Sequence, residues 1–479
     1  MSISKHSSIS SKYTLTIFQA PRNSAPNSWR PILFKKQGNF FRQHNKSIAN
    51  SFPYFYDIIG YMKIALLGYG KEGKSVESYF KNHYQDLECD IFENFSSAEI
   101  SQRDYSSYDM VFRSPSVPPL GLENETSITK YFFDHCPCPI IGVTATKGKG
   151  TTCSFIKSLL DAEKQDAYLV GNIGVPALNV LDQLSQDSVV VYEMSSFQLW
   201  DLQKSPHIAV IGQLEPDHLN VHKDYADYLN AKANITKHQT SDDYLIYYTD
   251  NEETVRIANH TKAQKIPYPF GIAEDIQEAI TLPGKHNQNN ALAAIAAVAS
   301  FKNISPDEYL ISNKTTIIEG LHAFHGLPHR LEFLKNINHI KIYDDNFSTN
   351  LSSTRVAVDS FPDNNIVLIL GGRDKTDYED LPEIHDYLKS RNNIHRIILI
   401  GESGHELEKR YHDDPRYVLA DSLKSAVETA RQEAEKLSTT SSTNNDIIIL
   451  MSPAAASFDM FENVYDRGQK FQTLIKNLK

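Results

Sequence analysis

The sequence predicts a three-domain α/β protein, and three observations carry that prediction. Short runs rich in Val, Ile and Leu end in turns, as strands buried on both faces of a parallel sheet do. Longer amphipathic or Ala-rich stretches alternate with them, the βαβ rhythm of helices covering such a sheet. The runs fall into three groups, at 62–141, 142–327 and 328–479, with no internal repeat and no long linker between them. The expected plan is a Rossmann-like N-terminal domain, a central P-loop domain with a mainly parallel sheet, and a Rossmann-like C-terminal domain. A chain of 479 residues fits two to four domains at about 100–200 residues each.

Taken in order, KIALLGYG reads as a strand entering a turn, 71–82 as a helix, and ECDIFE (88–93) as a strand. DMVFRSPSVPP (109–119) is a strand that ends in a proline-rich loop. The second group opens with PIIGVTATKGKGTT and continues through the strands SVVVYEMSS, HIAVIGQL and DYLIYYT. NNALAAIAAVASF (289–301) has no breaker and reads as a helix. After HGLPHR, the third group holds HIKIYDD, NIVLILGG, IHRIILIG and DIIILMSPAAAS, each an apolar run entering a turn. KLSTTSSTNND, before the last of these, reads as a polar surface loop.

Composition excludes several classes of function. No apolar run approaches the roughly 18–20 residues of a membrane helix. A formal charge of −11 argues against non-specific nucleic-acid binding. Residues 1–61 differ from the rest, with eight Lys/Arg against Asp57 alone, which leaves −18 on residues 62–479. Met62 opens MKIALLGYGKEG in the manner of a natural start, so 1–61 is read as a disordered or mis-assigned extension. A targeting or docking segment is the alternative. Of the four cysteines (Cys89, Cys136, Cys138, Cys153), the middle two form C-P-C, not the C-x-x-C of a zinc or redox site. Reduced cytosolic thiols are expected.

The strongest local signal is Gly142-Val-Thr-Ala-Thr-Lys-Gly-Lys-Gly-Thr-Thr152, between a predicted strand and a predicted helix. Backbone N–H groups in such a turn, with the helix N-terminus, cradle phosphate oxygens. Gly148 lets the backbone approach a phosphate, Lys149 supplies a point charge for the β/γ-phosphates, and Thr151 or Thr152 offers a hydroxyl to Mg²⁺. Gly150 stands where Ser or Thr usually follows the lysine, so Thr151 is the expected metal hydroxyl. GYGKEG (Gly68, Gly70, Gly73) is a G-x-G-x-x-G after a strand, with Glu93 about twenty residues on. It suits a dinucleotide or any nucleotide diphosphate, and a dehydrogenase reading explains nothing in 142–479. Downstream, Glu193 ends an apolar strand, His218 follows another, and Lys232 lies on a helix soon after.

These blocks, in this order, resemble the Mur ligases, the ATP-dependent amide ligases of peptidoglycan precursor synthesis. The resemblance covers about 62–479 and rests on TATKGKGTT, GNIGVPAL, EMSSFQL, EPDHLNVH, AKANI, GKHNQNNALAA, GLPHR, DDNFSTN, GGRDK and SPAAASFDMF…RGQKF. EMSSFQL, GLPHR and SPAAASFDMF favour the glutamate-adding branch. The D-N-P-R box of the diamino-acid-adding branch is absent, and the folylpolyglutamate synthases fit these blocks less well. The resemblance implies a cytoplasmic, monomeric enzyme. It would join glutamate, in the D form, to UDP-N-acetylmuramoyl-L-alanine through an acyl phosphate, using ATP and Mg²⁺ at two sites.

It also implies roles residue by residue. Lys149, Glu193, His218 and Lys232 are the catalytic set, and Thr151, Glu193, His218 and a carbamylated Lys232 the metal ligands. Thr146, Lys147, Gly148, Lys149, Gly150, Thr151 and Thr152 hold ATP phosphates. Asn287 and Asn290 read adenine, while Arg330, Asp345 and Lys375 approach the nucleotide from the third domain. Gly68, Gly70, Gly73, Glu93 and Ser114 face the UDP. Asn172, Ser195, Ser196 and Gln198 face the muramoyl-alanine end, and Ser457 and Phe458 the amino acid. Phe347 stands where many relatives have a lysine that grips the incoming carboxylate, and Val464 where an aromatic is common. His325, His329 or Arg355 are the candidate replacements for that cation. Asn220 and Ser116 are further departures. A Mur-type ligase for L-glutamate or another amino acid, a polyglutamate-type ligase, and a nucleotide-binding regulator without turnover are the alternatives.

Overall fold

Apolar strands with no polar face must be covered on both sides, and here they assemble into three separate sheets flanked by helices. The computed structural model describes residues 61–93, 95, 97–219, 221–440 and 446–478. The expectations for residues 1–60 and for Asn220 lie outside the described residues.

The first sheet has the order β2-β1-β3-β4 and is parallel throughout: β1 (Tyr61–Leu67), β2 (Asp86–Phe92), β3 (Met110–Arg113) and β4 (Glu125–Ser127). Tyr61, expected in the extension, opens β1 and pairs with Asp86. The helix Lys71–His83 follows β1 directly and buries Val76 and Phe80.

The second sheet is also parallel throughout, in the order β10-β9-β8-β5-β7-β6. Its strands are β5 (Ile140–Thr144), β6 (Ala167–Gly171), β7 (Val189–Glu193), β8 (Ile208–Ile211), β9 (Tyr244–Tyr248) and β10 (Gln264–Tyr268). β5, β7 and β8 are buried at every position, and the Ala-rich helix Lys285–Phe301 packs beside the phosphate-loop helix Lys149–Ala162. Alanines let those two axes approach closely.

The third sheet has the order β11-β12-β16-β13-β14-β15, with only the β11–β12 pair antiparallel. It comprises β11 (Glu332–Ile337), β12 (Ile340–Asp344), β13 (Asn365–Gly371), β14 (Ile394–Ile400), β15 (Tyr417–Leu419) and β16 (Ile447–Met451). One expectation is corrected here. The start of KLSTTSSTNND is not loop, because the helix Leu423–Thr440 runs through Lys436–Thr440. Alternating charge and small residues upstream carry the helix on past the point where polarity alone suggests a stop.

Candidate active site

All three sheets, parallel apart from the β11–β12 pair, present loops at their strand C-terminal ends, where open α/β sheets bind ligands. In the central sheet, β5 runs straight into the glycine-rich loop. Gly148 caps the helix Lys149–Ala162 at φ 85°, a left-handed conformation that favours glycine. A Cβ there would also lie 2.7 Å from Asn290 Oδ1. Asn290 accepts from Thr152 Oγ1 at 3.2 Å, and its amide reaches Asn287 Oδ1 at 3.4 Å. The two asparagines therefore brace the loop from the neighbouring helix. The Thr152 hydroxyl spends its proton on that bond, whereas the Thr151 side chain makes no hydrogen bond among the described residues.

Thr146 fastens the other side of the loop. Its Oγ1 donates to Glu215 O at 3.1 Å, accepts from Glu215 N at 2.9 Å, and lies 2.8 Å from the Tyr228 hydroxyl. Lys147 reaches across to the third domain and donates to Ser352 Oγ at 2.8 Å.

Two lysines, Lys149 half-buried and Lys232 buried, converge on one carbonyl. Lys149 Nζ donates to Ala145 O at 2.9 Å and Thr146 O at 3.0 Å. Lys232, from the helix Tyr225–Lys237, donates to the same Ala145 O at 2.9 Å and to Thr144 Oγ1 at 3.2 Å, with its ammonium over the Tyr228 ring. Burial lowers the pKa of both. Lys232 falls well below the usual lysine range because the Lys149 charge adds to its desolvation.

Glu193, the last residue of β7, is buried and faces this loop: its Oε2 lies 3.4 Å from where a Cβ on Gly150 would stand. Its nearest hydrogen-bond donor is Asn172 Nδ2 at 3.4 Å, and no ion-pair partner lies within 4 Å among the described residues. A buried carboxylate without a cation, beside a helix N-terminus and a hydroxyl, is a donor set that fits a hard divalent ion.

His218 stands at φ 54° on the loop after β8. It is half exposed, with its ring edge-on to Phe197 and its Nε2 3.6 Å from Asp217 Oδ2. It makes no hydrogen bond to Glu193 or Lys232. The charge that acts on both lysines from this loop is that of Asp217. Sequence reasoning named His218 and passed over its neighbour, although EPDHLNVH already displayed the carboxylate. His222 was also missed. Fully buried, it bonds Ser196 Oγ at 2.9 Å and Asp227 Oδ2 at 3.0 Å and stacks on Phe197. The Ser196 hydroxyl is thus directed at His222.

The N-terminal turn sits against this assembly. Gly68 is at φ 92°, and a Cβ there would fall 2.5 Å from Ser114 Oγ; a Cβ on Gly73 would fall 2.6 Å from Gly68 O. Gly70 caps the following helix without a side-chain bond, and Glu93 is exposed just past β2. Ser195 and Gln198 form a capping box at the start of Ser196–Leu199. Gln198 Nε2 then donates to Glu72 Oε1 at 3.0 Å across the two domains. Burial raises the Glu72 pKa, and the Gln198 bond opposes that rise.

In the third domain Asp345 is buried and saturated by Ser452 Oγ at 2.7 Å, Leu331 N at 3.2 Å and the Ser348 hydroxyl. Burial pushes its pKa up to about 7 against those donors. Lys375 donates to Thr349 O at 3.0 Å. Ser457 Oγ is buried with no partner, while the adjacent Phe458 is 70% exposed. Arg330 lies over the Phe347 ring, which also meets His329 and Tyr465 edge-on. An aromatic thus stands one residue past Val464.

Two of the candidate replacement cations are committed elsewhere. Arg355 pairs with Glu383 and stacks on Tyr387. His329 bonds Asp344 at 2.7 Å. His329, Glu332 and Asp344 come close enough to hold a metal ion, but the Gln472 amide donates to both carboxylates at 2.8 and 3.0 Å and fills that role. Arg467, quoted in RGQKF without a role, proves to be the centre of the domain. Fully buried, it donates to Asn346 Oδ1, Asn346 O, Ala455 O and Ala456 O at 2.6–3.1 Å, and burial lowers its pKa to about 10.

Comparison with known proteins agrees with this arrangement. The Mur ligase middle domain matches residues 143–277, and the Mur ligase glutamate ligase domain matches 329–453. A UDP-N-acetylmuramoylalanine-D-glutamate ligase of Clostridium botulinum is 30% identical, over 90% of this chain and 100% of its own. One from Clostridium tetani is 29% identical, over 87% and 97%. Two solved structures share the fold at low identity. The UDP-N-acetylmuramate-alanine ligase MurC of Thermotoga maritima has TM-score 0.52 and 17% identity, covering 87% of this chain and 100% of that one. The UDP-N-acetylmuramoylalanyl-D-glutamyl-2,6-diaminopimelate-D-alanyl-D-alanyl ligase of Acinetobacter baumannii has TM-score 0.53 and 15% identity, covering 81% and 89%. The chain belongs to the Mur ligase family, on the branch of the UDP-N-acetylmuramoylalanine-D-glutamate ligases.

Proposed function

We propose that this protein is an ATP-dependent ligase that joins D-glutamate to the alanyl carboxyl of UDP-N-acetylmuramoyl-L-alanine, releasing ADP and phosphate, in peptidoglycan precursor synthesis. The observation that carries the reading is the pair of under-bonded lysines, Lys149 and Lys232, meeting at Ala145 O beside the unpaired buried Glu193. Relatives that carry this activity in their names match over their whole length. Residues 62–141 are assigned to the UDP end, 142–327 to ATP, and 328–479 to the amino acid. The reaction runs in the cytoplasm on a monomer. Among the described residues, no helix is long and apolar enough to cross a membrane.

The substrate carboxylate takes the γ-phosphoryl group of ATP, and the glutamate amine then attacks the acyl carbon. The C–N bond forms, the C–O bond to phosphate breaks, and the amine loses a proton. Lys149 neutralises charge on the transferring group, and the backbone N–H groups from Gly148 to Thr151 hold the phosphates. Asn287 and Asn290 flank the base, and Arg330, Asp345 and Lys375 complete the nucleotide side on closure. Glu193, Thr151 and His218 are the residues for Mg²⁺, which when bound supplies neutralisation of phosphate oxygens. Lys232 would join them as a carbamate: CO₂ adds to its Nζ and one proton leaves to solvent, turning a cation into an oxygen ligand, and the burial that lowers its pKa favours the uncharged amine that reacts.

Phosphate release with UDP-N-acetylmuramoyl-L-alanine and a panel of single amino acids tests the reading. Release with D-glutamate alone is expected. Release with L-glutamate or another amino acid alone would reassign the acceptor, and no release with any of them would overturn the reading. Phe347 makes this the informative arm, since it removes a cation that the dicarboxylate would otherwise meet.

A further inference from the structure

Arg113 ends β3 with its side chain fully buried, yet no role in substrate handling attaches to it so far. Its guanidinium points two ways. On one side Nε donates to Glu125 Oε1 at 2.9 Å and Nη1 to Val117 O at 2.9 Å. Glu125 in turn accepts from Leu120 N and Leu122 N at 3.0–3.3 Å. One guanidinium and one carboxylate therefore organise the whole proline-rich segment that starts at Ser114, the residue packed against Gly68. On the other side Nη2 lies within ion-pair distance of Asp201 Oδ1, without hydrogen-bond geometry, just beyond the segment that holds Ser195, Ser196 and Gln198. Asp201 belongs to the central domain and Arg113 to the N-terminal one. The Gln198–Glu72 bond crosses the same seam.

We propose that Arg113 is a positioning residue with two separable arms. The Glu125 arm shapes the loop that receives the UDP end. The Asp201 arm sets that loop's register against the turn leading from Glu193, where the alanyl carboxyl is activated. The inference rests on the functional reading above. A salt bridge this buried is poor evidence for stability in itself, since desolvation offsets its attraction, but its planar fork fixes geometry. One cation facing two carboxylates is the arrangement expected when orientation rather than charge balance is the requirement.

The test uses the full-length protein, UDP as a calorimetric probe, and steady-state kinetics with UDP-N-acetylmuramoyl-L-alanine, ATP and D-glutamate. Glu125→Gln is expected to weaken UDP binding roughly 10-fold, the size of one charge-assisted hydrogen bond. It should raise KM for the UDP-linked substrate alike and leave KM for ATP within about two-fold. Asp201→Asn is expected to leave UDP affinity within about two-fold and lower kcat roughly 10-fold. Arg113→Lys, which keeps the charge and loses the fork, should show both effects together. These variants are isosteric or retain charge, whereas Arg113→Ala would leave the buried Glu125 carboxylate and the part-buried Asp201 uncompensated. If all three variants shift every parameter together in step with Tm, or leave all parameters at the wild-type values, the proposal is overturned. A wild-type protein that neither binds UDP nor turns over would instead sink the functional reading.

Discussion

The phosphate-loop region and the core of the third domain both bury cations, and they do so in opposite ways. Lys149 and Lys232 have two hydrogen bonds each and share one carbonyl. Arg467 has four, all to neutral oxygens of segments it ties together. A buried cation left short of partners is costly alone and is stabilised by an arriving anion. A saturated one is scaffold. On the proposed reading, the difference separates the side chains that meet ligand from those that hold the walls.

That contrast can be broken most directly at Lys149. Lys149→Met should lower turnover about 10³-fold or more, the scale of losing a charge that stabilises a phosphoryl transition state. It should leave Tm unchanged or raised, because an under-bonded, half-buried charge is removed. A variant that ligates at near wild-type rate would overturn the assignment. The mirror experiment is Arg467→Met, which strands four carbonyl or amide oxygens. A stability loss of about 3–5 kcal/mol in denaturant unfolding is expected. A small loss would show that Arg467 is not scaffold.

Lys232→Ala should cut turnover less completely, and millimolar formate or acetate should restore part of it by supplying the missing carboxylate-like oxygens. An absence of rescue, with wild-type activity independent of bicarbonate, would argue for an unmodified amine.

The smallest effect belongs to His329, whose pKa the Asp344 bond raises. A raised histidine contributes stability that is full below its unfolded value, about 6.5, and is lost as pH rises through the folded value. Tm should therefore fall roughly 1–3 °C more between pH 6 and 9 in the wild type than in His329→Gln. Equal slopes would remove the ion-pair account.

How much of this was legible follows burial. The strands that sequence announced (β1, β2, β3, β5, β7, β8, β9, β12, β13, β14 and β16) are apolar runs, mostly buried on both faces. Those it did not announce are β4, β6, β10, β11 and β15, and each lies at the edge of its sheet. An edge strand such as β10 (QKIPY) needs apolar residues on little more than one side, so its composition resembles loop. The site divides similarly. Lys149, Glu193 and Lys232 were readable because each sits at a fixed offset from a strand end or on a short motif. His222, Arg113 and Arg467 carry no such local mark, since each also meets a partner far along the chain, Ser196, Asp201 and Asn346 respectively.

By itself, then, the sequence determined the α/β class, the glycine-rich loop between a strand and a helix, and the order of the blocks that resemble the Mur ligases. Those are local properties, encoded in periodicity and in motifs a few residues long. Only the tertiary structure decided that two lysines share Ala145 O, that Thr152 is engaged while Thr151 is left, and that His329 and Arg355 are bound elsewhere. It also decided that Arg113 lies within ion-pair distance of Asp201 in the next domain. Each of these depends on which polar groups remain unpaired after distant segments pack, a quantity that no window of sequence contains.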